Sequence, residues 1–210
     1  MTKPVIGIDV DDVVCDKTQT VLDHMQIKYY YCKHDIPKRR EEIINWNMKF
    51  TVTEGRSKRT IDLYDEIMDV YRGKETLLNF PSVIGAQPAL WFLKYNYDIL
   101  FITTRPPEFR DGTYEWIQKA LLLKPDEFEL KHVEKDKNGV GAELLVDDNI
   151  GNVYKFAKDG KPAILFDQPW NSEKIIAKNK DAWPDFRKLN IRRESSWFVI
   201  CNLIYDSVIE

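Results

Sequence analysis

Residues 5–14 read VIGIDVDDVV, a short apolar run that ends in three carboxylates, Asp9, Asp11 and Asp12. Its β-branched residues suit a buried strand, and their weak alternation with polar residues fits a sheet that is covered on both faces. Like charges this close repel one another unless a cation lies among them or one carboxyl keeps its proton for chemistry. We therefore expect a strand that carries a metal site or an acid–base group at its tip. A solvated turn is the alternative.

The two segments that follow this strand differ in their pattern of apolar and polar residues. Residues 16–81 contain two helical patterns, over 18–32 and 61–71, and no convincing strand, so they predict a small α-helical cap inserted after the first strand. The second pattern ends at Gly73, where a left-handed helix end is expected. We therefore divide the chain into a core of residues 1–15 and 82–210 and a helical cap of residues 16–81.

After residue 81, short apolar runs alternate with helical patterns. The runs cover residues 98–104, 129–133, 144–146 and 162–166. This alternation predicts an α/β fold with a Rossmann-like parallel sheet, in which ligands bind beyond the carboxyl ends of the strands. Three of the predicted strands, including the first one at residues 5–14, end in reactive groups at that edge. A solvated turn is therefore a poor explanation for the acids of the first strand. These groups are Asp9/Asp11/Asp12, Thr103/Thr104 and Asp147/Asp148.

Composition narrows the class of protein. The chain has 210 residues, 43% of them hydrophobic, and a net charge of −3, which gives no general attraction to nucleic acid. The three cysteines, Cys15, Cys32 and Cys201, are odd in number and widely spaced, which favours reduced thiols over disulfides or zinc. No apolar run reaches membrane-spanning length, and the first strand begins too early for a signal peptide. We therefore expect a cytoplasmic protein without a membrane partner.

The residue types at the strand ends favour phosphate chemistry. Oxygen ligands without a histidine or cysteine cluster suit Mg²⁺, which keeps positions free for water and phosphate. Beside such an ion, Asp9 is placed to attack phosphorus and Asp11 to hold a proton for the leaving oxygen and later to activate water. Thr103 is placed to donate a hydrogen bond to the phosphoryl oxygens, and a lysine would supply further positive charge.

These motifs resemble those of the haloacid dehalogenase (HAD) superfamily of phosphatases. The first motif matches residues 9–13, the second Thr103, and the fourth the pair Asp147 and Asp148. Residues 135–148, KDKNGVGAELLVDD, are similar to the corresponding run of the 5'(3')-deoxyribonucleotidases, and this alignment selects Lys137 as the third motif.

The resemblance implies a role for each matched residue. Asp9 corresponds to the nucleophile and Asp11 to the acid–base residue. Mg²⁺ is then held by the Asp9 carboxylate, the Asp11 carbonyl and Asp148, with Asp147 as a supporting acid behind them. The chain departs from the family pattern at Lys17, where an aromatic ring is expected, and at Arg105, where proline is expected. Both departures concern the nucleobase preference and leave the phosphate chemistry alone.

Three further residues are candidates for substrate binding. Thr104 follows the second motif directly. Arg105 would either clamp a substrate anion or pair with an acid of the cap. Trp46, which interrupts a polar stretch, would either close over the substrate or pack inside the cap.

Together these features predict a Mg²⁺-dependent phosphomonoesterase that acts on nucleoside monophosphates, with a homodimer left open. The alternatives are a phosphatase for another small ester or for a nucleic-acid 3'-phosphate end, and a non-catalytic nucleotide-binding module. The acidic balance disfavours the nucleic-acid end. A binding module would have no need of Asp11, and neither would haloacid dehalogenation, because carbon–halogen displacement requires no proton donor there.

Overall fold

The computed structural model describes residues 2–45, 47–134, 137–179 and 181–209, with side chains given as far as residue 205. Within these ranges, no helix is long and apolar enough to cross a bilayer. Trp46, a predicted substrate contact, falls outside the described residues.

Six parallel strands form the main sheet, in the order β6-β5-β1-β7-β8-β9. The strands are β1 (Val5–Asp9), β5 (Asp98–Thr103), β6 (Phe128–His132), β7 (Leu144–Asp147), β8 (Ala163–Phe166) and β9 (Ile191–Glu194). The predicted α/β fold with a parallel sheet is confirmed. The edge strand β9 was not predicted, because its sequence IRRE carries too few apolar residues to give a strand pattern.

Helices cover both faces of this sheet, as the apolar strands require. On β5, Ile99 and Phe101 belong to one hydrophobic core, whereas Leu100 and Ile102 belong to a second, smaller core on the opposite face. The helices of this part of the chain are α4 (Ala86–Leu93), α5 (Arg110–Leu121), α6 (Ile150–Lys158), α7 (Glu173–Lys178) and α8 (Trp197–Ile209).

Strand β1 lies at the centre of the sheet, between β5 and β7. Gly7 permits this close packing: a Cβ atom there would lie 2.8 Å from the Cδ1 of Ile102 and 3.0 Å from the Cβ of Ala142. The register sets Asp9 opposite Ile102, and Ile8 opposite Val146. The last residues of the three central strands therefore reach the same edge.

The segment of residues 16–81 contributes no described strand to the main sheet, but the expectation that it is purely α-helical is wrong. It holds helices α1 (Lys17–Lys28), α2 (Leu63–Arg72) and α3 (Lys74–Leu78), together with an antiparallel sheet of β2 (Lys33–His34), β3 (Lys49–Glu54) and β4 (Ser57–Asp62). We call residues 16–81 the inserted segment. The boundaries between it and the core stay a prediction.

The hairpin of β3 and β4 explains this error. Its strands are joined by the two residues Gly55 and Arg56, and Gly55 has the positive φ of +59° that such tight turns favour. In β3, Phe50 and Val52 face inward, but most of β4 is exposed and polar, so it gives no apolar alternation. Ile61, predicted as the start of a helix, belongs to β4. Gly73 has a φ of −75°, so the predicted left-handed helix end is wrong as well.

Candidate active site

Lys137 joins two of the strand-end acids. Its Nζ lies 2.6 Å from Oδ1 of Asp9, at the end of β1, and 2.9 Å from Oδ2 of Asp147, at the end of β7. The lysine is 1% exposed, so an unpaired ammonium there would be costly. Burial alone would lower its pKa, but the charges of Asp147 and Asp9 raise it above its ordinary value. Lys137 is therefore a buried cation held between two carboxylates.

A third carboxylate, Asp148, completes an acidic cluster. One oxygen from each of Asp9, Asp147 and Asp148 falls within 4.8 Å of the others, and all three residues are buried. Burial raises the pKa of Asp9 to about 7, with further increases from Asp147 and Asp11 against the opposing effect of Lys137. Burial, together with the charges of Asp9, Asp147 and Asp12, raises the pKa of Asp148 well above its usual range. A hard divalent cation would relieve this repulsion, so the donor set fits Mg²⁺.

Asp147 and Asp148 differ in their hydrogen-bond partners. Besides Lys137, Asp147 accepts bonds from the backbone N–H of Asn149 at 2.7 Å and the side-chain amide of Asn152 at 3.1 Å. The carboxylate of Asp148 accepts one from the Trp170 indole N–H at 2.7 Å. Asp147 is thus tied into the protein by several donors, whereas Asp148 faces the pocket.

Arg105 binds Asp11, and neither expectation for this arginine described that contact. Its Nη2 donates to Oδ1 of Asp11 at 2.6 Å, and its Nε lies 3.1 Å from both carboxylate oxygens. The Tyr71 hydroxyl donates to Oδ2 at 2.6 Å. Burial alone would raise the pKa of Asp11, but the charges of Arg105 and Lys17, with hydrogen bonds from Arg105 and Tyr71, lower it to about 2. Both oxygens of the Asp11 carboxylate therefore accept hydrogen bonds from the protein.

Lys17, where the family resemblance leads us to expect an aromatic ring, is buried and pairs with Asp12 at 3.0 Å. Asp12 has a φ of +59° and accepts hydrogen bonds from the backbone N–H and the hydroxyl of Thr18, at 2.8 and 2.7 Å. The third acid of the opening motif thus anchors the start of α1. It is a structural acid, and its ammonium partner also lines the pocket.

The two threonines at the end of β5, Thr103 in the strand and Thr104 directly after it, differ in exposure. Thr103 is fully buried, and its Oγ1 accepts a hydrogen bond from the backbone N–H of Arg105 at 3.1 Å. Thr104 is exposed and forms part of the pocket wall. The Thr103 hydroxyl keeps its own proton available for donation.

A cavity of about 290 Å³ lies over these groups. Asp9, Asp11, Lys137 and Asp148 line it from the core, and α2 covers it with the side chains of Tyr64, Ile67, Met68 and Tyr71. A larger cavity of about 470 Å³ lies near the starts of β1, β5 and β6, away from the acids. In open α/β sheets ligands bind at the carboxyl ends of the strands, so the smaller cavity is the candidate active site.

Sequence reasoning missed Tyr71, Asn152 and Trp170 as parts of this site. Tyr71 ends the helical pattern predicted for residues 61–71, where it counts only as an apolar position. Asn152 lies on the first turn of α6, only five residues after Asp147, and this nearness in sequence is the one signal that pointed toward the site.

The fold, with acids at the carboxyl edge of its parallel sheet, is that of the haloacid dehalogenase superfamily. Residues 3–195 match the family model described as 5' nucleotidase, deoxy (pyrimidine), cytosolic type C protein. Because this match covers most of the chain, the chain belongs to that family.

Individual relatives agree with this assignment. The chain is 35% identical over 114 residues to a Bacillus subtilis protein named "Putative nucleotidase YqfW"; the match covers 51% of this chain and 58% of that relative. It thus spans little more than half the length of the curated relative.

Solved structures share the fold. A haloacid dehalogenase-like family hydrolase from Xanthomonas campestris aligns over 98% of this chain and 96% of its own, with a TM-score of 0.53 and 14% identity. L-2-haloacid dehalogenase from Xanthobacter autotrophicus aligns over 98% and 99%, with a TM-score of 0.54 and 13% identity. The Bacillus subtilis protein YfnB, solved bound to magnesium, aligns over 97% and 99%, with a TM-score of 0.52 and 11% identity. At these identities the comparison shows the fold alone.

Proposed function

We propose that the protein is a Mg²⁺-dependent phosphomonoesterase that hydrolyses nucleoside monophosphates through an aspartyl-phosphate intermediate. The observation that carries this proposal is the buried group of Asp9, Lys137, Asp147 and Asp148 beneath a pocket, in a chain of a nucleotidase family. The family supports the nucleotide as substrate, and the buried group supports phosphoryl transfer.

In the first step the Asp9 carboxylate attacks phosphorus. The bond from phosphorus to the ester oxygen breaks, Asp11 gives that oxygen a proton, and the phosphoryl group stays on Asp9 as an acyl phosphate. The ammonium of Lys137 lies 2.6 Å from Asp9. Its positive charge would offset the repulsion between the Asp9 carboxylate and the incoming phosphate. In the second step Asp11 takes a proton from water, which attacks the acyl phosphate and releases inorganic phosphate.

Asp9, Asp148 and the backbone carbonyl of Asp11 would hold the metal ion, with Asp147 behind them. The ion would neutralise charge on the phosphate during transfer. The hydrogen bonds to Asp147 from Lys137, Asn149 and Asn152 support its place as a residue that orients its neighbours.

The organic part of the substrate would lie under α2. Tyr64, Ile67 and Met68 offer a mixed aromatic and apolar surface, which suits a nucleoside better than a polar sugar. Thr104, on the pocket wall, would contact the phosphate or the sugar. We also propose a cytoplasmic location, because Cys15, Cys32 and Cys201 are free thiols, which suit a reducing compartment.

A phosphate-release screen tests this function. The purified protein is assayed with nucleoside 5'- and 3'-monophosphates, sugar phosphates, p-nitrophenyl phosphate and an oligonucleotide carrying a 3'-phosphate. We expect activity with Mg²⁺, its loss in EDTA, its recovery on adding Mg²⁺, and a kcat/KM for nucleotides at least about 10-fold above that for sugar phosphates. If the protein prefers the oligonucleotide or a sugar phosphate, that ester takes the place of the nucleoside monophosphate as the proposed substrate. No release from any ester would overturn the function.

A further prediction concerns Trp46 and rests on the sequence alone. If its ring stacks on the base, Trp46→Ala should lower kcat/KM for nucleotides by roughly 10-fold or more, since such stacking is worth about 1–3 kcal/mol. Activity on p-nitrophenyl phosphate should stay near that of the wild type. Equal losses on both esters, with a lower melting temperature, would mean that Trp46 packs inside the inserted segment.

A further inference from the structure

Tyr71 reaches out of the inserted segment to the proposed acid of the core. Its hydroxyl donates to Oδ2 of Asp11 at 2.6 Å, from a position 60 residues further along the chain. The tyrosine is 3% exposed, and its ring packs against Phe109 at 5.5 Å and Phe80 at 6.1 Å between centroids. The hydroxyl is therefore directed at Asp11 by a ring that is itself held.

Arg105 is the second side chain that binds Asp11, and its own position is fixed by its neighbours. Its Nη1 donates to Oγ1 of Thr113 at 3.1 Å, and its Nη2 lies 3.3 Å from the Sγ of Cys15. Its guanidinium carbon lies 4.9 Å from the centre of the Tyr71 ring. A guanidinium held in this way is a fixed partner for Asp11 and has little freedom to clamp a substrate.

We propose that Tyr71 is a positioning residue that, together with Arg105, aims the Asp11 carboxylate at the leaving oxygen, so that α2 must lie against the core for the acid to be in place. Arg105 donates to Oδ1 through Nη2 and shares Nε between both oxygens, and the Tyr71 hydroxyl donates to Oδ2. These contacts fix the plane of a carboxylate that lines the pocket. The hydroxyl of Tyr71 orients the carboxylate, and Asp11 carries the proton. This inference rests on the proposed function.

Tyr71→Phe tests the proposal, because it removes the hydroxyl and leaves the ring. We expect kcat/KM for a nucleoside monophosphate, whose leaving oxygen needs a proton, to fall roughly 10-fold. The kcat/KM for p-nitrophenyl phosphate, whose leaving group needs none, should change less than about 2-fold. We use kcat/KM because it reports events up to the first irreversible step, before hydrolysis of the intermediate.

Tyr29→Phe is the matched control. The Tyr29 hydroxyl also donates to a carboxylate at 2.6 Å, that of Glu66, and Glu66 is paired with Lys28 at 2.8 Å. Like Tyr71, Tyr29 is 3% exposed and belongs to the inserted segment. The control should cost a similar amount of stability and leave the ratio of nucleotide to aryl-ester kcat/KM unchanged.

A double-mutant cycle with Asp11→Asn identifies the residue through which Tyr71 acts. In the Asp11→Asn background, Tyr71→Phe should cause no further loss of nucleotide kcat/KM, because the carboxylate that it orients is gone. Additive losses, or equal losses on both esters in the single variant, would overturn the positioning role and assign Tyr71 to substrate binding or to the fold. A wild-type protein that hydrolyses neither ester overturns both this inference and the proposed function. An unchanged ester ratio in an active Tyr71→Phe protein overturns the inference alone.

Discussion

Asp9→Asn should abolish phosphate release, with a loss of at least about 10³-fold on every ester. The amide is a poor nucleophile, so no acyl phosphate forms, and it is a weaker ligand for a divalent cation. Unlike the Asp11 substitution, this change removes a group that every substrate needs, so nucleotides and p-nitrophenyl phosphate should suffer alike.

The fold should survive Asp9→Asn. Asparagine has nearly the shape of aspartate, and Lys137 keeps Asp147 as a partner at 2.9 Å. Circular dichroism and thermal unfolding would verify this. Asp69→Asn is a suitable control, because Asp69 is paired with Lys28 and Arg72 on the surface of α2 and should leave activity unchanged. An Asp9→Asn protein that keeps more than a few per cent of its Mg²⁺-dependent activity would exclude the covalent mechanism.

The sheet and its acidic edge could be predicted from the sequence because their signals are local. Strand β1 is apolar, buried and followed at once by its acids, and the same holds for β5 with Thr103 and for β7 with Asp147. Once parallel strands are inferred, their carboxyl ends must meet at one edge. The choice of Lys137 needed the family resemblance, since a lysine on a loop carries no pattern of its own.

Other parts could not be predicted, because they depend on packing between distant segments. Asp11 meets Tyr71 across 60 residues and Arg105 across 94. That meeting is fixed by the way α2 lies over the sheet, which no short motif encodes. The sheet in the inserted segment was missed for a different reason: β4 is mostly exposed, so its polar residues lack the alternation that identifies a strand.

The contact of Arg105 with Asp11 bears on the chemistry of the site, contrary to the expectation that this departure from the family pattern concerns only the nucleobase preference. An arginine beside a carboxylate favours the charged form, which suits a base that takes a proton from water in the second step. In the first step the same residue must carry a proton, and the low pKa of about 2 for Asp11 opposes that. The acid role in the first step can be tested apart from the base role in the second.

Asp11→Asn supplies that test. We expect kcat/KM for nucleoside monophosphates to fall about 10²- to 10⁴-fold, the usual contribution of a positioned proton donor, and kcat/KM for p-nitrophenyl phosphate to fall far less. With the base for the second step also missing, the acyl phosphate should accumulate. The aryl ester should then give a burst of about one p-nitrophenol per enzyme before a slow steady state.

This variant also removes the partner of a buried arginine. Arg105 is 3% exposed, and loss of its carboxylate should destabilise the fold by roughly 3–5 kcal/mol. The aryl ester serves as the internal control, because a burst of full amplitude shows that Asp9, Lys137 and the metal site are intact. Equal losses of kcat/KM on both esters, with that burst still present, would remove Asp11 from the acid role and leave it as the base for water alone.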